Sequence, residues 1–189
     1  HSIRRRQRQM CIRDRVYRPA GATRFVNCSI VGNQSSTLGG IAILFSGDSI
    51  AMDNSIIWGN TAGTGNDVYV NAGTASANYS LFNPAQSLGT ISGSSSQNSD
   101  PLFTNANGVD NTYGTEDDNV TLQVGSPAIN AASASVANYP STDFYGRIRS
   151  GNPDMGSYEF WSAPHPFTAN GVNYEVVKVA TNWVGAAQI

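Results

Sequence analysis

The chain has 189 residues, 40% of them hydrophobic and 13% charged, with a formal net charge of −2. This length predicts one domain, or one domain with a fragment of another, and the hydrophobic fraction argues against full-length disorder. No stretch approaches about 18 consecutive apolar residues, so we expect no membrane-spanning helix. Two cysteines and two histidines argue against a disulfide-stapled mini-scaffold, a cysteine-rich zinc site and a histidine-based metal centre.

The net charge combines a basic N-terminal segment with an acidic body. Residues 1–15 carry a net charge of +5 and the rest of the chain carries −7. Residues 5–15 (RRQRQMCIRDR) resemble the translation of a transposase sequencing adapter, so we expect residues 1–15 to be an artefact and disordered. The alternative is a genuine basic arm for nucleic acid or a membrane surface. Without this segment no basic patch indicates a nucleic-acid partner, and Cys28 has no internal disulfide partner.

The composition and patterning of residues 16–99 predict short strands joined by tight turns. They are rich in Asn, Gly, Ser, Thr and Ala, and Asn and Gly tolerate the left-handed backbone of tight turns. Apolar residues alternate with period two in residues 41–45, 49–53 and 67–71, whereas no window keeps a helical period. The residues predicted to share one face within their strands are Ile41, Ile43 and Phe45, then Ile50 and Met52, then Val68 and Val70.

An internal repeat indicates the architecture. The segment Asn27–Asn33 (NCSIVGN) recurs as Asn54–Asn60 (NSIIWGN), an offset of 27, and a weaker third copy begins at Asn78, a further 24 residues on. Repeats of this length predict a stacked β-solenoid, in which repeated asparagines form a hydrogen-bonded amide ladder and repeated isoleucines form a core. The alternative is chance similarity within an Asn- and Ser-rich chain.

These coils resemble those of right-handed parallel β-helix proteins of bacterial surfaces, which have the pectin lyase-like fold. The tail resembles the terminal segment of their choice-of-anchor Q group, and the resemblance covers about residues 23–160. The tail motifs that carry it are Asp100–Phe103, Leu122, Gly125–Asn130, Asp143, Gly146–Arg147 and Asp154–Glu159. The resemblance implies an exported protein at the outer cell surface or outside the cell, but no single activity.

The predicted organisation has three parts after residue 15. Residues 16–99 are terminal coils, of which residues 83–99 form a Ser/Gly-rich loop around a short strand at Thr90–Ser92. Residues 100–160 are a closing segment that covers the end of the last coil. Residues 161–189 are a linker and a β-rich piece with one strand at Asn173–Val179, which faintly resembles a Fibrobacter-type paralogous module. We expect both termini of the natural protein to be missing. The residues predicted to cover the end of the last coil are Phe103, Leu122, Val124, Ile129, Phe144, Tyr145, Met155, Tyr158 and Phe160.

An acidic loop at residues 105–119 predicts a calcium site. It places four carboxylates and several amide oxygens around two glycines, and Ca²⁺ takes six to eight oxygen ligands on a tightly turning backbone. The predicted ligands are Asp110, Asn111, Asp117 and Asp118, together with backbone carbonyls. The spacing differs from that of an EF-hand, and a solvated acidic turn is the alternative.

No convergent catalytic set is apparent, so we assign no catalytic residues and incline away from an enzyme. Asp48 and Asp53 flank one predicted strand, and we expect them to cap turns rather than to form the carboxylate pair of a glycosidase. Arg147 and Arg149 are expected to pair with acids of the closing segment, namely Asp143, Asp154 or Glu159. Cys28 is expected to be a small buried residue. Aromatic residues that could stack on sugars, with core packing as the alternative, are Trp58, Tyr69, Tyr79 and Trp161.

Two functional classes follow from these observations. The first is a noncatalytic surface or adhesin-like protein, in which the β-helix is a rigid scaffold or a stalk that binds an extracellular glycan or a host or cell-surface protein. The second is the C-terminal end of a polysaccharide-active β-helix enzyme, a lyase or glycoside hydrolase, whose active-site coils lie upstream. Upstream coils with paired acids would favour the second class.

Overall fold

A computed structural model of the chain describes residues 21–161, 166–169, 172–179 and 182–188, with side chains described for residues 21–161. The predicted artefact at residues 1–15 lies outside these residues. The chain divides into two compact units, His1–Glu159 and Phe160–Ile189. The described elements are strands apart from one 3-10 turn at Pro84–Gln86, so the fold is all-β, as predicted. Within the described part, no helix is long and apolar enough to cross a bilayer.

The strands of the first unit are short. In chain order they are β1 (Ala22–Val26), β2 (Ser29–Val31), β3 (Ile41–Ile43), β4 (Ser49–Asp53), β5 (Ile56–Trp58), β6 (Val68–Val70), β7 (Thr74–Asn78), β8 (Leu81–Phe82), β9 (Ile91–Ser92), β10 (Phe103–Asn105) and β11 (Asn119–Leu122).

Three parallel sheets organise the first nine strands. The first sheet has the order β1-β4-β7-β9, the second β2-β5-β8, and the third β3-β6. Repeats 1 (residues 22–43) and 2 (residues 49–70) each contribute one strand to each sheet. Repeat 3 begins at residue 74 and adds β7 to the first sheet and β8 to the second. Partners in repeats 1 and 2 lie 27 residues apart, as in Ala22 opposite Ser49, which agrees with the offset found in the sequence.

The core lies between the three sheets. Within β4, Ile50 and Met52 are buried while Ser49 and Ala51 are half-buried, as the alternation predicted. Phe45 differs from its prediction: it is 48% exposed, because β3 ends at Ile43 and the chain turns after it. The buried core residues are Ile41, Ile43, Ile50, Met52, Ile57, Val68, Ala75, Ala77 and Phe82, with Phe25, Ile30, Val70 and Ile91 packed against them.

The Ser/Gly-rich segment 83–99 completes repeat 3 and begins a shortened fourth repeat, rather than forming a free loop. Leu88 pairs in parallel with Tyr69 of β6, β9 pairs with β7, and Gln97 pairs with Leu81 of β8. The predicted short strand at Thr90–Ser92 is thereby confirmed as β9. Successive partners here are 16 to 19 residues apart, fewer than in the earlier repeats.

The segment from residue 100 to 159, called the closing segment below, packs along the outward face of the second sheet. Its antiparallel pair β10-β11 contributes Val120 to a small cluster with Val31 and Tyr158. Ser157 donates to Ser29 Oγ through both its N–H (3.1 Å) and its hydroxyl (3.0 Å). The second sheet is therefore covered on both faces, by the core inside and by the closing segment outside.

Two residues predicted to cover the last coil are largely exposed. Val124 is 80% exposed and Tyr145 is 55% exposed. The closing segment contacts Ser29 and Val31 of repeat 1, which lie on the outward face of the second sheet. It can pack against this face because the side chains there are apolar or small.

The second unit contains an antiparallel sheet. Its strands are β12 (Pro166–Ala169), β13 (Val172–Val179) and β14 (Asn182–Gln188), in the order β12-β13-β14. The strand predicted at Asn173–Val179 corresponds to β13.

Candidate functional site

A buried asparagine ladder follows the first-sheet strands. Asn27 and Asn54 are 2% and 0% exposed and have φ of 51° and 53°, a left-handed conformation that asparagine tolerates better than most residues. Asn54 Nδ2 donates to Asn27 Oδ1 at 3.1 Å, as the repeat predicted. It also donates to the carbonyl of Ser133 at 2.8 Å, and the Ser133 N–H donates back to Asn54 Oδ1 at 2.9 Å. The ladder therefore joins two repeats to each other and to the closing segment.

The third position of this ladder differs from the prediction. Strand register places Asp53 opposite Asn78 and Ile56 opposite Leu81, an offset of 25 instead of 24. Tyr79, with a φ of 49°, therefore occupies the ladder position. Asn78 lies one residue earlier, where its Nδ2 donates to Asp53 Oδ1 at 2.9 Å. The prediction of a third ladder asparagine was wrong.

A second polar ladder lies at the turn between the second and third sheets. Asn60 Oδ1 accepts hydrogen bonds from N and Nδ2 of Asn33, both at 2.9 Å. Asn60 in turn donates to Asp67 Oδ1 through its backbone N (3.1 Å) and its Nδ2 (2.9 Å). Asp67 is 1% exposed, and its burial raises the pKa of the carboxyl to about 6. Sequence reasoning missed this carboxyl group because no motif links residue 60 to residue 67.

A buried arginine fastens the end of the closing segment. The Arg149 guanidinium pairs with Glu159 and donates to the carbonyls of Asp154 (3.2 Å) and Gly156 (2.9 Å), and its side chain is 1% exposed. The Asp154 carbonyl also accepts from Asn27 Nδ2 at 3.0 Å, so this network reaches the ladder. The predicted pairing of Arg149 with an acid of this segment is confirmed. Burial is the largest cause of the raised pKa of Glu159.

Asp143 and Arg147 lie in one turn of the same segment. Asp143 Oδ1 accepts the backbone N–H groups of Tyr145 (2.8 Å) and Arg147 (2.9 Å), and its Oδ2 accepts the N–H of Glu159 (3.1 Å). The Arg147 guanidinium lies 4.8 Å from the centre of the Tyr145 ring. Asp143 thus closes a backbone turn, and Arg147 makes a cation–π contact beside it.

The acidic loop is organised by carboxylates that accept backbone N–H groups. Asp117 Oδ2 accepts the N–H of Val109, and Asp118 Oδ2 accepts those of Gly114 (2.6 Å) and Thr115 (3.2 Å). Each carboxylate therefore holds one turn of the loop through a single oxygen, and its Oδ1 is left for other partners.

The remaining carboxylate oxygens converge on one hydroxyl group. Thr115 Oγ1 lies 2.6 Å from Asp117 Oδ1, 3.4 Å from Asp110 Oδ1 and 3.5 Å from Asp118 Oδ1. The carbonyl oxygen of Thr112 is 3.0 Å away. A hydroxyl has one proton, so Thr115 can donate to one of these oxygens at a time. Three acidic oxygens and one carbonyl oxygen are thus gathered around one point.

The two adjacent acids of the loop have opposite pKa shifts. The Thr115 hydroxyl, followed by the Val109 N–H, lowers the pKa of Asp117. Partial burial raises the pKa of Asp118, and the nearby charges of Asp117 and Asp110 add to that effect. The loop therefore concentrates negative charge, which hydrogen-bond donors of the loop itself partly offset.

The fourth predicted ligand, Asn111, lies on the exposed side of the loop. It has a φ of 57°, and its Oδ1 accepts from Asn107 Nδ2 at 3.4 Å. No hydrogen bond joins its side chain to Thr115. Across the side chains that the structure describes, no group of three or more His, Cys, Asp or Glu is arranged to hold a metal ion.

Tyr113 attaches the acidic loop to the repeats. A Cβ atom on Gly32 would lie 2.1 Å from Tyr113 Cδ1, and one on Gly59 would lie 3.6 Å from the Tyr113 hydroxyl. Both glycines have positive φ, 66° and 67°. The repeated Gly-Asn pair thus has two uses: the asparagine builds the ladder, and the glycine leaves room for the tyrosine ring. The repeat could have identified the glycine positions in advance, whereas nothing in the sequence identified their partner.

An open groove of about 300 Å³ crosses the outward face of the first sheet. Small side chains line most of it, including Ser49, Thr74 and Ser76, and Arg24 lies at its margin. Arg24 Nη1 pairs with Asp53 Oδ2 at 2.8 Å, so the charge of the arginine is offset. The ion pair crosses from β1 to β4: strand register places Arg24 opposite Ala51, and Asp53 lies two residues further along β4 on the same face of the sheet.

The predicted turn-capping role holds for Asp48, whose Oδ1 accepts the N–H of Gly21 at 3.1 Å. Cys28 is half-buried, and burial raises the pKa of its thiol, as expected for a packed cysteine. Its Sγ donates to the carbonyl of Val26 at 3.4 Å.

Comparison of the chain with protein-family models, with curated proteins and with solved structures gives no match.

Proposed function

We propose that the chain is part of a right-handed parallel β-helix that serves as a noncatalytic, rigid scaffold of an exported bacterial surface protein. The observation that carries this proposal is the in-register parallel pairing of successive repeats in three sheets, reinforced by buried amide ladders. The hydrogen-bonded amides of these ladders resist local opening, because each broken bond leaves a desolvated group. The surface location rests on the resemblance of the repeats and the tail.

The charged groups of the described residues favour a scaffold over a catalyst. A glycosidase needs two carboxylates about 5–10 Å apart across a groove. Among the described residues, no Asp or Glu lines the groove on the first sheet, and Asp53, which pairs with Arg24 at its margin, has a side chain that is 4% exposed. The other clustered acids have structural partners. Those of the acidic loop hold turns, and those of the closing segment (Asp143, Asp154 and Glu159) accept backbone N–H groups or pair with Arg149.

The same groove is the surface we propose for binding an extracellular glycan or a protein segment. Its small side chains let a ligand approach the sheet closely, and the hydroxyl groups of Ser49, Thr74 and Ser76 are available donors and acceptors along its floor.

A glycan array and a polysaccharide-degradation assay test this proposal together. We expect binding without turnover, and loss of binding in Ser76→Trp, which fills the groove. Ser135→Trp is the matched control, because Ser135 is exposed on the closing segment. Release of reducing or unsaturated sugar ends would overturn the noncatalytic assignment, and equal binding by both variants would remove the groove from the proposal.

We also propose that the acidic loop binds Ca²⁺ through Asp110, Asn111, Asp117 and Asp118. Support comes from the three aspartate Oδ1 atoms gathered around Thr115 Oγ1. Calcium at a hundred times its dissociation constant would add about 2.7 kcal/mol to the free energy of unfolding. Millimolar calcium should therefore raise the melting temperature.

The control for calcium binding is Glu116→Gln, which removes an exposed carboxylate of the same loop. It should retain the response to calcium, whereas Asp117→Asn should lose it. Identical melting curves with calcium and with chelator would contradict the assignment.

A further inference from the structure

The most deeply buried carboxyl group at the second ladder lies among amides from three repeats. Asp67 precedes β6 in repeat 2 and accepts two hydrogen bonds from Asn60, which is bonded to Asn33 of repeat 1. Its backbone N–H donates to the carbonyl of Gln86 in repeat 3 at 2.9 Å. The backbone N–H of Asn83 also approaches the carboxyl group. We call this group of side chains the polar corner.

The polar corner contains no counter-charge. The elements packed around Asp67 are residues 30–41, 58–68 and 83–88, and none of these stretches contains a Lys, Arg, His, Glu or second Asp. Asp67 Oδ2 has no hydrogen bond of ordinary geometry among the described residues. An ionised carboxylate buried in this way lacks the cation that usually compensates for desolvation, whereas a neutral carboxyl group avoids that cost.

We propose that Asp67 is a proton-binding site that tightens the contact between successive repeats in mildly acidic surroundings and loosens it when the carboxyl group ionises. The protonated group remains an acceptor for Asn60 through Oδ1, so the ladder is intact in that state. Ionisation places an unpaired charge at the junction of three repeats. The protein should therefore be most resistant to unfolding on the acidic side of neutrality.

The direction of the pH effect follows from the two pKa values. The carboxyl group titrates at about 6 in the folded protein and at 3.8 when unpaired in the unfolded chain. The folded state holds the proton more tightly, so the stabilisation is complete below pH 3.8 and is lost as the pH rises through 6. Between about pH 5 and 7.5 the folding equilibrium constant should fall roughly tenfold through this group alone.

The test compares wild type with Asp67→Asn, which keeps the Oδ1 acceptor and cannot ionise. Denaturant unfolding of each is measured at pH 5 and 7.5, with Glu116→Gln as a control for loss of an exposed carboxylate. Between pH 5 and 7.5 the folding equilibrium constant should fall about tenfold more in wild type and in Glu116→Gln than in Asp67→Asn. The pH dependence that remains in Asp67→Asn comes from other groups such as Glu159. An independent measurement is the ¹³C NMR titration of the Asp67 carboxyl carbon, with an expected midpoint near pH 6.

Equal pH dependence in wild type and Asp67→Asn would overturn the proposal, as would a carboxyl titration midpoint at or below 4. The NMR titration decides the question if Asp67→Asn does not fold. Neither measurement involves glycan binding, so the result is independent of the scaffold function.

Discussion

Replacing Asn54 by alanine should be among the most destabilising single changes in the described residues. The Asn54 side chain makes three hydrogen bonds, one with Asn27 and two with Ser133. At about 1 kcal/mol net for each bond, their loss costs about 3 kcal/mol. Alanine at the φ of 53° costs about a further 1 kcal/mol, because a left-handed backbone brings Cβ close to the following carbonyl oxygen. The expected loss is therefore about 4 kcal/mol.

Asn138 provides a control for the backbone contribution. It is exposed, has a φ of 62° and makes no hydrogen bond that the structure describes. Asn138→Ala should therefore lose only about 1 kcal/mol. Asn54→Gly, which tolerates positive φ, should lose about 3 kcal/mol, since only the hydrogen bonds are removed.

The measurement is urea unfolding of the four proteins, followed by circular dichroism and tryptophan fluorescence. A domain of this size has about 5–15 kcal/mol of stability, so Asn54→Ala should still fold. If Asn54→Ala and Asn138→Ala were equally destabilised, the buried ladder would contribute nothing beyond backbone conformation, and the reasoning would be refuted.

Two further predictions concern the attachment of the closing segment. Gly32→Ala should lose about 2 kcal/mol more than Gly59→Ala, because only the first new methyl group overlaps the Tyr113 side chain. Thermal unfolding measures the difference, which should vanish in a Tyr113→Gly background, where the Tyr113 Cβ that would lie 2.8 Å from the new methyl group is also removed. Arg149→Met should lose about 3–5 kcal/mol, because it leaves Glu159 buried without its partner. Adding Glu159→Gln should restore part of that loss in calorimetry, and a further loss of similar size would contradict the ion-pair explanation.

The repeat was the feature of the sequence that carried most information about the fold. Asn27 and Asn54 share identity and offset, so both the strand register and the amide bond between them could be predicted. The position of the closing segment could not, because it depends on single contacts such as Ser157 with Ser29, which lie 128 residues apart and have no repeated pattern.

The candidate sites were predictable to different degrees. The acidic loop is visible in composition, but the convergence of its oxygens on Thr115 depends on backbone turns that composition does not determine. Asp67 was unremarkable in sequence, since one aspartate in a turn is usually solvated. Only its burial against Asn60 distinguishes it.

The error in the third copy has a local cause. Ile43 and Ser49 are six residues apart, whereas Val70 and Thr74 of the next repeat are four apart, which accounts for the change in offset from 27 to 25. The third copy was aligned with the first two by residue type and not by strand position, so this two-residue deletion was not recognised. The shortened turn passes so close to the turn above it that a Cβ on Gly73 would lie 2.5 Å from a backbone oxygen of that turn.

The repeats continue to shorten beyond this turn, and this explains how the last strand is protected. The fourth repeat contributes only β9, Ile91–Ser92, followed by an exposed run of glycine and serine at residues 93–96. A two-residue strand with small polar neighbours offers few unpaired groups for another strand to join. Shortening of the repeats therefore limits the exposed edge at this end of the stack. The closing segment can then lie along the second sheet, where its buried network fastens successive repeats together.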